Sequence, residues 1–210
     1  MNINPTPLHD ALARTGMIAI LRGLRPTEAE AIGAALYESG FRLIEVPLNS
    51  PQPLDSIATL RRTLPDDCIV GAGTVLQPQQ VEQVASVGGQ LIVMPHSDAA
   101  VIGAAKSAGL YCAPGVATVT EAFAALAAGA DVLKMFPAEQ LGPVVVKAWR
   151  AVIAPTIALL PVGGITPQGM AVFRQAGASG FGLGSALYTP GLSADEVRQR
   201  AQAFVAAWAA

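Results

Sequence analysis

Apolar residues fall along this chain in two rhythms. Short unbroken runs occupy residues 17–21, 43–46, 69–72, 91–94, 110–113, 132–135, 157–161 and 180–183. Runs of that length with little polar alternation predict strands buried on both faces. Between them lie longer stretches, 27–39, 51–63, 78–87, 99–108, 118–128, 143–153, 167–175 and 194–208, whose apolar positions recur at helical spacing. Strands alternating with helices imply parallel βαβ units. Eight such units close naturally into a (β/α)8 barrel. Here it would be a single domain over residues 1–210, compact for a fold that usually runs ~200–400 residues.

The punctuation supports this partition. Pro26-Thr27 precedes Glu28 and Glu30, acidic residues suited to a helix N-terminus. Gly40, Gly88, Gly109, Gly129 and Gly177 each follow a helical stretch, where a left-handed C-cap is expected. The succession of helix, glycine and strand recurs without a fixed-period side-chain motif, so it marks repeated architecture and not a solenoid. A doubly wound open sheet is the alternative fold. Against it, no Gly-x-Gly-x-x-Gly follows the first strand.

Composition adds exclusions. Hydrophobic residues make up 52% and charged residues 13%, which supplies a large core and excludes disorder. Aromatics are 5%, so aliphatic side chains must fill that core. The net charge is −2 and no run of Lys or Arg occurs, which argues against nucleic acid and anionic membranes as partners. An anionic ligand would therefore need a local site. The mean hydropathy of +0.46 raises a membrane reading. The greasiest stretch, 122–130, is stopped by Asp131, well short of the ~18–20 residues a spanning helix needs. Residues 1–7 lack a basic segment followed by an apolar one, so no secretory signal is expected. Cys68 and Cys112 each sit in an apolar run, which predicts buried free thiols and fits a reducing cytoplasm.

In a barrel of this kind the chemistry gathers where the strands end. Those ends hold Arg22, Glu45, Thr74, Pro95-His96, Pro114, Lys134, Gly163-Gly164 and Gly184-Ser185. Of three lysines, Lys106 and Lys147 fall in helical stretches, where a solvated role is expected, whereas Lys134 is flanked by apolar residues. A buried ammonium either pairs with a carboxylate or loses its proton. Neutral lysine is a nucleophile that forms Schiff bases with carbonyl carbons. The bland counterpart is a structural ion pair or an anion-binding lysine. Glu45 is the acidic equivalent: a proton shuttle, or an ion-pair partner for Lys134 or Arg22. Arg22 could fork onto a carboxylate or serve as a rim arginine bound to Glu45. Thr74 follows Gly71 and Gly73, glycines that would let backbone approach a ligand; its other reading is a helix N-cap. Glycine loops after the seventh and eighth strands are where such barrels often hold phosphate, and tight turns are the plain alternative. His96 reads as a rim residue and His9 as a surface residue. No cluster with metal-ligand spacing occurs, which disfavours a metal-dependent mechanism, and no Gly-x-Ser-x-Gly elbow occurs.

These residues, in this order, resemble the Schiff-base 2-keto-3-deoxy-6-phosphosugar-acid aldolases. The resemblance rests on Ile18-Ala19-Ile20-Leu21-Arg22-Gly23, Glu45-Val46-Pro47-Leu48-Asn49-Ser50-Pro51, Gly71-Ala72-Gly73-Thr74-Val75-Leu76, Pro114-Gly115, Leu133-Lys134-Met135-Phe136-Pro137-Ala138-Glu139, Pro161-Val162-Gly163-Gly164-Ile165 and Gly182-Leu183-Gly184-Ser185-Ala186-Leu187-Tyr188. It spans nearly the whole chain. It implies a (β/α)8 barrel assembled as a homotrimer, with Lys134 as the Schiff-base lysine and Glu45 as the proton shuttle. Arg22 and Thr74 would serve the pyruvate end, and Gly163, Gly164, Gly184 and Ser185 the phosphate. It further implies a phosphorylated sugar acid as substrate, pyruvate and glyceraldehyde 3-phosphate as products, and no cofactor. The gluconate branch of the family reads Glu-(Val/Ile)-Thr-Leu-Arg-Thr and Pro-Thr-Gly-Gly, where this chain has Asn49 and Val162. Both departures are similar to the branch acting on the C4 epimer, and imply relaxed selectivity between epimers. Two rival classes stay open: a phosphosugar isomerase or decarboxylase that forms no imine, and a phosphosugar-binding barrel without catalysis.

Overall fold

The computed structural model describes residues 7–210. The expectation of no secretory signal rests on residues 1–7 and, Pro7 apart, lies outside the described residues. The strands are β1 (Met17–Ile20), β2 (Leu43–Pro47), β3 (Ile69–Gly73), β4 (Leu91–Val93), β5 (Tyr111–Ala113), β6 (Gly115–Val116), β7 (Leu133–Met135), β8 (Leu159–Pro161) and β9 (Phe181–Leu183). The helices are α1 (Pro7–Thr15), α2 (Pro26–Glu38), α3 (Pro53–Thr63), α4 (Pro78–Ser86), α5 (Ala99–Ser107), α6 (Val119–Ala127), α7 (Ala138–Trp149), α8 (Met170–Gln175) and α9 (Ala194–Ala209). A 3-10 turn, Pro167–Gly169, leads into α8.

Local chemistry explains the helix ends. Glu28 accepts from the Arg25 backbone N–H at 3.2 Å and starts α2. Thr118 and Glu121 cap each other's backbone N–H at the start of α6, as Ser193 and Glu196 do at α9. The five glycines expected to close helices all have positive φ, between 72° and 109°. The predicted helix 143–153 is the second part of α7. The first turn lies earlier, and Gly142 (φ 71°) breaks the path before Pro143 restarts it. Helix α1 was not expected, although Leu8, Ala11, Leu12 and Thr15 form its buried stripe at helical spacing.

All strand pairs are parallel and form two sheets, ordered β5-β4-β3-β2-β1-β9 and β6-β7-β8. Neighbours follow one another in chain order and the last strand lies beside the first. A doubly wound sheet would reverse direction at a switch point, so that alternative is excluded. The result is an α/β fold with a curled parallel sheet. The expected ring of eight strands meets a different segmentation, arcs of six and three. Pro114, between β5 and β6, has no N–H to continue the ladder, although its carbonyl accepts from the Lys134 N–H at 2.9 Å. Past β8, a single parallel bridge links Val162 to Gly182 of β9.

One apolar cluster fills the space between sheet and helices. A second lies inside the curl, where Leu43, Ile69, Leu91, Val132 and Leu160 meet Leu8, Ala11 and Leu12 of α1. Helix α1 thus covers the end where strands begin and leaves the opposite end for polar groups. Cys68 and Cys112 are buried free thiols, as expected, and burial pushes both up to about 12. Among the described residues, no helix is long and apolar enough to cross a membrane.

Candidate active site

A cavity of about 390 Å³ opens at the C-terminal ends of the strands. Ile20, Arg22, Glu45, Pro95, Lys134, Phe136, Val162, Gly163, Gly164, Gly182, Gly184 and Ser185 all line it. Residues far apart in sequence therefore meet because each follows, or sits in, its own strand.

Lys134 is the middle residue of β7 and is 8% exposed. Glu45 is the middle residue of β2 and is 2% exposed. Among the described residues they are the only Lys, Arg, Asp or Glu side chains buried to this degree. Among the described residues neither forms an ion pair within 4.0 Å, so the structure gives no direct support to a structural-pair reading of either residue. The Lys134 ammonium lies 4.8 Å from the centre of the Phe136 ring. Burial lowers its proton affinity and Arg22 adds to that, while the Glu45 charge opposes it. Burial pushes the Glu45 carboxyl up to about 7, against the pull of Lys134 and Arg22. A carboxyl in that range both accepts and returns a proton near neutral pH.

Gly73 makes room for this carboxyl. A Cβ there would run into Glu45 Oε1 and Oε2, and a Cβ at Gly71 into the Leu91 carbonyl. The two glycines thus have a packing reason inside the protein, beside the expected approach of a ligand. Glu45 Oε2 is buried and has no hydrogen-bond partner among the described protein groups.

Arg22 follows β1 and lines the cavity, but its partner is Asn49, not Glu45: Nη1 donates to Asn49 Oδ1 at 2.6 Å. Asn49 is exposed and is not part of the cavity wall. Thr74 stands after β3 in the left-handed region, with φ 57°, a conformation that costs a β-branched residue. It is not the N-cap of α4, a position held by Gln77, and it lies outside the cavity wall. Val162 is 7% exposed, lines the wall and stands over Gly182, where a Cβ would approach Val162 Cγ2 at 2.6 Å.

The glycine loops face the same cavity. Gly163 and Gly164 have φ of 107° and 67°. A Cβ at Gly164 would meet Glu139, whereas one at Gly184 would meet no atom within 4 Å. The N–H groups of Gly164, Gly184 and Ser185 donate to no backbone acceptor among the described residues, which leaves them to receive an anion. His96 is exposed on the rim, and its carbonyl accepts from the Gly115 N–H. Lys147 is exposed, as expected. Lys106 is not simply solvated: it pairs with Asp131 at 2.6 Å. Among the described residues, no three His, Cys, Asp or Glu side chains converge to hold a metal ion. Phe136 is among the wall residues that sequence reading missed. Its signal was the two-residue spacing from Lys134, which puts both on one side of an extended chain.

Comparison with known proteins identifies relatives of this chain. The model of the KDPG and KHG aldolase family matches residues 8–203. A probable 2-dehydro-3-deoxy-6-phosphogalactonate aldolase from Rhizobium meliloti (strain 1021) is 52% identical over 192 residues, 91% of each chain. A solved structure described as native KDPGal superposes with a TM-score of 0.90 at 47% identity, covering 92% of this chain and 94% of that one. A KDPG aldolase from Legionella pneumophila, solved with pyruvate captured as a covalent carbinolamine, superposes with a TM-score of 0.83 at 25% identity, covering 95% and 98%.

Proposed function

Because this chain belongs to the KDPG and KHG aldolase family, we propose that it is the lyase that cleaves 2-dehydro-3-deoxy-6-phospho-D-galactonate to pyruvate and D-glyceraldehyde 3-phosphate through a Schiff base on Lys134. The observation that carries this reading is the pair of deeply buried, unpaired groups, Lys134 and Glu45, on the wall of one cavity. The high identity to phosphogalactonate aldolases supports the choice of substrate.

Neutral Lys134 attacks the C2 ketone, and the carbinolamine hydroxyl takes up a proton and leaves as water, which gives an iminium. The iminium draws in the electrons of the C3–C4 bond as that bond breaks. Glu45, through a water, takes the C4 hydroxyl proton, and the aldehyde departs. Glu45 then returns a proton to C3 of the enamine, and hydrolysis releases pyruvate and Lys134. Arg22 and Thr74 serve the carboxylate end. Backbone N–H groups of Gly163, Gly164, Gly184 and Ser185 hold the phosphate. Val162 lines the wall near C4 and, with Asn49, sets the preference between epimers. No metal or organic cofactor enters this scheme.

The same reading treats residues 1–210 as one domain and the two arcs as one closed (β/α)8 barrel. The single residue between β5 and β6 and the Val162–Gly182 bridge support it. It includes a cytoplasmic homotrimer, to which exposed Leu76, Phe123 and Val144 offer apolar surface. The test of mechanism is incubation with pyruvate and borohydride. The expected result is inactivation with reduced pyruvate attached at Lys134. Attachment at Lys106 or Lys147, or none, would overturn it.

A further inference from the structure

Between β1 and β2 the polar contacts form a tether whose free end is the Arg22 guanidinium. Arg22 is exposed, and an unrestrained arginine side chain samples many rotamers. Its backbone is held from both sides by groups of the β2 chain. The Leu21 N–H donates to the Glu45 carbonyl at 2.9 Å, and the Gly23 N–H donates to Ser50 Oγ at 2.9 Å. Gly23 has φ 85°, and a Cβ there would lie 2.6 Å from Pro190 Cγ, so a side chain at this position would be both strained and crowded. Ser50 is 8% exposed, and its own N–H donates to the Pro47 carbonyl at 2.9 Å. The turn that ends β2 is therefore stiff, and Asn49 projects from it onto Arg22 Nη1 at 2.6 Å. Asn49 touches Arg22 and stays outside the cavity wall that Arg22 lines.

We propose that Asn49 and Ser50 are positioning residues for Arg22, Asn49 holding its guanidinium and Ser50 its backbone, so that it meets a substrate carboxylate already oriented. Asn49 then contributes to recognition, and to any preference between epimers, through Arg22 and not by lining the cavity. The inference rests on the reading that the cavity takes a 2-keto acid. It also places the proposed proton shuttle and the groups that hold Arg22 close together in the chain, since β2 supplies Glu45 and the turn that follows it supplies Asn49 and Ser50.

The experiment compares kcat and KM for cleavage in wild type, Asn49→Ala, Ser50→Ala, Ser50→Thr, Arg22→Ala and the Arg22→Ala/Asn49→Ala double variant. Asn49→Ala should raise KM about 5–20-fold and leave kcat within about twofold. In the Arg22→Ala background the same change should have little further effect, because the group it positions is gone. Ser50→Ala should act in the same direction, and Ser50→Thr, which keeps the hydroxyl, should restore KM. An Asn49→Ala effect that persists undiminished without Arg22 would overturn the proposal, as would wild-type KM in both alanine variants. Nitrogen NMR of the Arg22 guanidinium reads the tether without substrate: slow rotation in wild type should become fast in Asn49→Ala, and unchanged rotation would overturn the proposal. Failure of the underlying imine reading registers elsewhere, as the absence of pyruvate trapped at Lys134.

Discussion

The two ends of the parallel sheet treat charge in opposite ways. Where the strands begin, charges are matched. Asp67 accepts from Arg14 at 3.2 Å, from Arg42 at 2.9 Å and from the Tyr37 hydroxyl at 2.8 Å. The Tyr37 hydroxyl and Arg42 hold its carboxyl below the ordinary range. Lys106 and Asp131 pair at 2.6 Å, and the Cys112 N–H joins them at 2.8 Å. Where the strands end, Lys134 and Glu45 are far more deeply buried than these groups, yet unpaired. Burial without a partner displaces both proton affinities toward neutrality, which is what a nucleophilic amine and a proton shuttle need. One end holds its charges in fixed pairs, and the other carries the two groups to which the proposed mechanism assigns proton exchange.

That contrast can be broken, the largest effect coming from Glu45. Glu45→Gln keeps the shape and removes the base, so kcat should fall by ~10²–10⁴-fold with a much smaller change in KM. In wild type, kcat/KM should rise with pH through about 7 as Glu45 ionises, a limb the variant should lose. Between pH 4.5 and about 7 the folded protein keeps a proton on Glu45 that the unfolded chain has released, so rising pH lowers stability across that window. Glu45→Gln should therefore gain stability above about pH 8, by no more than about 3 kcal/mol. Near-normal kcat with no stability gain would return Glu45 to a structural role.

The phosphate loops come next. Gly184 faces open space, so Gly184→Val intrudes on the ligand and not on the protein. It should cost about 10–100-fold in kcat/KM for the phosphorylated substrate and little for its dephosphorylated analogue. Equal loss for both would make this loop structural. Gly164 gives a poorer test, because its positive φ and the nearby Glu139 add strain of their own. A smaller shift is expected from Val162→Thr, whose hydroxyl, if the substrate sits as proposed with C4 beside this wall, would hydrogen-bond the C4 oxygen of the gluconate epimer. One such bond is worth about 0.5–1.5 kcal/mol, or about 2–13-fold in relative kcat/KM toward that epimer. An unchanged ratio would remove Val162 from the account of selectivity. At the paired end, Asp131→Asn should leave kcat unchanged. Both partners are partly exposed, so the loss should be about 1–2 kcal/mol, read as a Tm lowered by about 2–8 °C. A large loss of activity there would erase the distinction between the two ends.

Much of this was legible along the chain. Apolar runs located every strand except β6, which Pro114 separates from β5. The lone lysine among apolar neighbours and the acid in the second strand were visible as oddities of local composition. Helix α1 was missed although its stripe at Leu8, Ala11 and Leu12 was present, because a short amphipathic stretch gains its stability from the cluster it covers. The kink at Gly142 was hidden for a related reason, since only the packed chain fixes where α7 bends. Asn49 was noted as a departure from the gluconate branch, but its hold on Arg22 joins two loops and leaves no local signal.

Hydrophobic periodicity, glycine placement and the position of each polar residue relative to a strand were enough to determine the alternation of parallel strands and helices, and which residues stand at strand ends. They are properties of short segments, and a short segment carries them wherever it packs. Pairing is different. Whether Lys134 meets a carboxylate, whether Gly73 frees space for a ligand or for Glu45, and whether Thr74 caps a helix depend on distances between segments remote in sequence. The curl of the sheet sets those distances. It also sets how much water each group keeps, and so decided which lysine is an ion-pair partner and which is left for chemistry.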